Sequence, residues 1–80
     1  MITLKKLEKR LGEKHLLTVN LTAAVKCLKS ADSDTLPRHY MRLLGVLDGL
    51  EMCEIITFDE QRILEHEVGE IYKARAEIVF

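Results

Sequence analysis

Eighty residues, 48% hydrophobic and 31% charged, make one domain (1–80) with a thin core, and that balance excludes a disordered chain. One proline and four glycines leave few helix breakers, so the composition suits helices. A net charge of −1 supplies no global field for nucleic acid, and the longest apolar run, 43–47, is far too short for a membrane span.

No basic start leads into an apolar stretch of signal-peptide form. With Cys27 and Cys53 the only cysteines, the expected setting is the cytoplasm of a bacterium, or a phage, with both thiols reduced. The charge is unevenly laid out. Residues 1–30 carry +5, 31–56 carry −3 and 57–80 carry −3. A basic N-terminal segment therefore packs beside an acidic C-terminal part, or offers a surface to an acidic partner.

Thr3 is placed to cap a helix whose apolar positions Leu4, Leu7 and Leu11 share one face. A second stripe, Leu17, Leu21, Ala24, Val25 and Leu28, falls about a quarter turn away from the first. One straight helix buries both poorly, so a break is expected near Gly12–His15, with helix resuming to about Lys29. Leu17, Val19 and Leu21 also alternate with Thr18 and Asn20, which is the pattern of a short strand and the main competing reading of this segment.

Residues 30–34 read as a linker, with Asp34 or Thr35 capping the next helix and Pro37 in its first turn. Its apolar face is Leu36, Tyr40, Leu43, Leu44, Leu47 and Leu50. After a stop near Cys53, Thr57 and Glu60 have the spacing of a capping box. They open a last helix through Ile63, Leu64, Val68, Ile71, Tyr72 and Ile78. The expected fold is all-α: a small bundle of three main helices, the first broken near Gly12, with 35–78 as an αα-hairpin.

Two charged residues sit awkwardly in that last helix. Glu67 and Arg75 fall within or beside its apolar arc, two turns apart, so each needs a partner on another element or another chain.

Little in the chain suggests chemistry. His15, His39 and His66 lack the paired spacing of a zinc site, and His66 with Glu70 reads as a polar helix face. Cys27 and Cys53 read as packing residues. The glycines are too scattered for a phosphate loop, and no G-x-S-x-G is present. No enzyme, metal or cofactor is therefore expected. A helix-turn-helix reading of the hairpin fails on charge, because its second helix holds six acids against three bases. Nucleic acid, the alternative partner, is left with Lys5, Lys6, Lys9, Arg10 and Lys14, where no aromatic residue stands for base stacking.

The most informative feature is Gly45-Val-Leu-Asp-Gly49. On a helical projection Gly45 and Gly49 lie opposite the leucine stripe, flanked by Met41, Asp48 and Met52. The small residues allow close approach of another backbone, and methionines adapt to varied surfaces. This face is expected either to meet solvent or to pack against the N-terminal helix or a partner chain. The function expected is non-enzymatic protein binding, as an adaptor, a chaperone-like subunit or an inhibitor, by a homodimer or a hetero-complex.

Overall fold

The computed structural model describes residues 1–12 and 15–80. Every regular element among them is helical: α1 (Leu4–Leu11), α2 (Leu16–Ser30), α3 (Leu36–Met52) and α4 (Phe58–Val79). The all-α bundle read from the periodicity forms, and the broken first helix becomes two, α1 and the longer α2.

Gly12 ends α1 with φ +90°, a conformation that a side chain would strain. The chain restarts at His15, whose Nδ1 accepts a hydrogen bond from the Leu17 N–H. Across this elbow the buried Thr18 hydroxyl donates to the Gly12 carbonyl at 2.6 Å. Segment 17–21 is helix and not strand. Its alternation is incidental: Thr18, Leu21 and Val25 share the inward face, while Val19 points outward and is 55% exposed.

The core joins all four helices. Leu7, Leu21, Leu28, Leu36, Leu43, Leu47, Leu64 and Val68 are fully buried; Ile2, ahead of α1, and Ala31 and Ile56, between helices, close it. Tyr40 of α3 meets Tyr72 of α4 with ring centroids 4.6 Å apart.

The α2–α3 turn departs from the expected cap. Thr35 occupies the cap position but in a helical conformation, so its side chain caps nothing. Asp32 holds the turn instead, its Oδ1 accepting from both the N–H and the hydroxyl of Thr35 at 3.0 Å. These hydrogen bonds keep the Asp32 carboxyl below its ordinary range.

At the far end of α3, the Glu54 N–H donates to the Glu51 carbonyl and the Ile55 N–H to that of Leu50, both at 2.9 Å. This double closure is a Schellman motif, with Glu54 at φ +61° where glycine is usual. The capping box then forms as read, with the Glu60 N–H donating to the Thr57 hydroxyl and the Thr57 N–H to the Glu60 carboxylate.

Ile78 is 73% exposed and not part of the inward arc. At ~100° per residue it projects roughly a quarter turn from the line through Leu64, Val68 and Val79.

Candidate functional site

Met41, Gly45, Asp48, Gly49 and Met52 share the outer surface of α3, with the two methionines 64% and 79% exposed. A Cβ built on Gly45 or Gly49 meets nothing within 4 Å. The N-terminal helix does not cover this face, because α1 packs on α2, where Leu4 and Leu7 enter the core. Asp48 is committed elsewhere. Its carboxylate accepts from the side-chain amide of Gln61, which is 5% exposed and needs that partner. The open face thus reduces to Met41, Gly45, Gly49 and Met52, with Asp48 clasping α3 to α4 at its edge.

The basic residues divide. Lys5, Lys6 and Lys9 are exposed along α1, though the Lys6 ammonium donates to the Met1 carbonyl at 3.0 Å. Arg10 instead turns its guanidinium fork onto Glu60, with bonds of 2.9 and 2.7 Å, and reaches the Ile55 carbonyl at 3.3 Å. Lys14 lies outside the described residues. Glu60 therefore serves the capping box and Arg10 together. The Arg10 hydrogen bond, followed by that of the Thr57 N–H, holds its carboxyl down to about 2. The same pairing raises Arg10. This contact ties the basic segment to the acidic one, as the charge layout suggests.

Glu67 and Arg75 both find partners within the chain, and both partners are helix ends. The Leu4 N–H, at the start of α1, donates to Glu67 Oε1 at 2.9 Å. Arg75 donates to the carbonyls of Ala31 at 2.7 Å and Ser30 at 3.3 Å, at the end of α2. Each charge satisfies groups that a helix leaves unpaired and matches the sign of the local helix dipole. Their place in the arc is structural.

The thiols and imidazoles do not converge. Cys27 is half-buried on α2 and Cys53 exposed after α3, and both are free. His66 and Glu70 form an exposed pair at 3.8 Å. Among the described residues no three metal-ligating side chains gather, and no helix is long and apolar enough to cross a membrane.

No family model, curated protein or solved structure matches the chain.

The sequence reading missed one surface. On α2 the inward set is Thr18, Leu21, Ala24, Val25 and Leu28, yet the outward set, Leu16, Val19, Ala23 and Cys27, is apolar as well. The signal was present: between His15 and Lys26 no residue is charged. This outward strip is bordered by Asn20 and Thr22, but an apolar strip on a helix surface is ordinarily covered. Here Leu16 is 71% exposed and Val19 55%.

Proposed function

We propose that this protein is a non-enzymatic protein-interaction module, serving as an adaptor, a chaperone-like subunit or an inhibitor of a partner, and that it dimerises through the outer face of α3. The observation that supports this reading is the pair of helix-interior glycines, open to solvent between Met41 and Met52. Each costs the helix ~0.8–1.0 kcal/mol relative to alanine. Neither has the positive φ of Gly12, and a Cβ on either meets nothing within 4 Å, so nothing among the described residues calls for glycine there. A second backbone lying along that face would. Flanking methionines mould to such a surface, and a thin 80-residue core gains stability from association. The reading places the protein in the cytoplasm, where Cys27 and Cys53 stay reduced.

Light scattering over a concentration series tests the dimer. A dimer at micromolar concentration is expected, and a strict monomer at high micromolar concentration refutes self-association.

The second reading is a nucleic-acid-associated regulator, favoured by the exposed row Lys5, Lys6 and Lys9. The engagement of Arg10 by Glu60 weakens it. It requires a gel shift at low salt that fades steeply as salt rises.

A further inference from the structure

We infer that the outer face of α2, together with the groove between α2 and α1, is the docking site for an amphipathic helix of another protein whose apolar stripe is flanked by acidic residues. The inference rests on the protein-interaction reading above but uses a different surface from the α3 glycine face.

Two shallow grooves share Thr18 and Thr22 as a common floor. One is walled by Lys5, Glu8, Lys9 and Gly12, and the other by Val19, Ala23 and Lys26. They form one trough along α2. Its ridge runs from Leu16 through Val19 and Ala23 to Cys27, apolar but for Asn20 at its edge, with the i, i+3, i+7 spacing that a partner helix packs against. Ala23 near the middle lets a partner come close. The rim is basic: Lys5, Lys9 and Lys26 stand against Glu8 alone among the described residues that line the trough.

Charge selects the occupant. A second copy related by a two-fold axis would set both copies' lysines along one contact, which like-charge repulsion opposes. A nucleic-acid strand suits the lysines but not the apolar ridge, and no aromatic side chain lines the trough for base stacking. A helix with an apolar face and Asp or Glu on its flanks satisfies ridge and rim together.

The test is a display selection on the full-length protein. The library is a 16-residue helical peptide with fixed leucine and alanine on one face and randomised flanking positions. The expected result is enrichment of Asp and Glu over Lys and Arg at the flanks. Synthetic versions of the selected peptides, measured by fluorescence anisotropy, should lose affinity on the order of tenfold or more with Ala23→Glu, a scale typical of a central interface residue. The triple variant K5E/K9E/K26E should weaken the acidic peptides and favour their lysine-flanked counterparts. Both variants change exposed or half-buried side chains, and circular dichroism checks that they remain folded.

Any of these outcomes overturns the proposal: no selected peptide, no acidic bias, binders indifferent to Ala23→Glu, or tighter binding of a dT16 oligonucleotide than of any peptide. A selected peptide that displaces nothing but a second copy of the chain also overturns it, in favour of self-association here. Sedimentation of the protein without peptide scores the α3 dimer separately. A dimer with no selected peptide sinks this inference alone, and acid-flanked binders on a strict monomer sink the α3 dimer alone.

Discussion

Glu67→Ala is expected to loosen α1 from the bundle while leaving the other three helices in place. In the wild type, Glu67 Oε1 lies 2.9 Å from the backbone nitrogen of Leu4, a residue only 4% exposed. Thr3, the local cap, serves the Lys6 N–H and not that of Leu4. Removing the carboxylate leaves a first-turn donor without its partner beneath a buried leucine. Hydrogen bonds to charged groups contribute about 1.5–3 kcal/mol, and the helix dipole acts in the same direction within that range. Each kcal/mol moves the melting temperature by roughly 4–8 °C in a domain of this size, so a fall of about 6–24 °C is expected. Glu67→Gln keeps an acceptor and loses the charge, and should cost about half as much. Thermal melts by circular dichroism give the stability, and amide hydrogen exchange at Leu4 locates the effect. Both variants melting with the wild type, with Leu4 exchange unchanged, would refute the assignment of Glu67 as the cap of α1.

Three further outcomes follow from the helix ends and their charges. Thr57→Ala removes the hydroxyl of the capping box and should cost about 1 kcal/mol by urea denaturation; an unchanged midpoint contradicts this. Glu54→Gly relieves a left-handed side-chain position at the α3 stop and should raise stability by about 0.5–1 kcal/mol, and a lower melting temperature would show that the Schellman geometry is not what limits this turn. Because the Glu60 carboxyl is held at about 2 in the fold, below its ordinary 4.5, the stability it contributes is complete above pH 4.5 and drains away as pH falls toward 2. Urea midpoints between pH 2 and 6 should show that acid limb flattened in Glu60→Gln, and an unaltered slope would remove Glu60 from the account.

Much of the bundle was legible because apolar spacing and capping chemistry are local. Leu36, Leu43, Leu47 and Leu50 recur on one face, and Thr57 with Glu60 announces a helix start without reference to anything distant. The elbow at Gly12 was legible for a similar reason, since two stripes a quarter turn apart cannot share one straight core. What the sequence concealed is non-local. Gln61 is buried only because Asp48 comes to meet it from α3. Glu67 and Arg75 announced that they needed partners, but which helix ends would supply them depends on how α1 and α2 lie across α4. Arg10 read as part of a basic surface and turned out to be the clasp onto Glu60, a pairing fifty residues apart. The outward face of α2 is faint in the sequence because it shows as an absence of charge beside a strong inward stripe.

The paired variant Gly45→Ala/Gly49→Ala tests the central claim, that an outer helix face is shaped for another protein chain. Inside the free chain each new methyl group enters open space, so the two together should stabilise it by about 1–2 kcal/mol through helix propensity and a less flexible unfolded state. In a contact where a second backbone lies along the groove, the same methyl groups overpack, at a cost of about 1–3 kcal/mol. Sedimentation equilibrium of wild type and variant, with thermal melts at a concentration low enough to populate the monomer, reads both effects. The account predicts a monomer that melts higher and a dimer that forms less readily; a variant that melts higher and associates as the wild type does would leave the Gly45/Gly49 face to solvent.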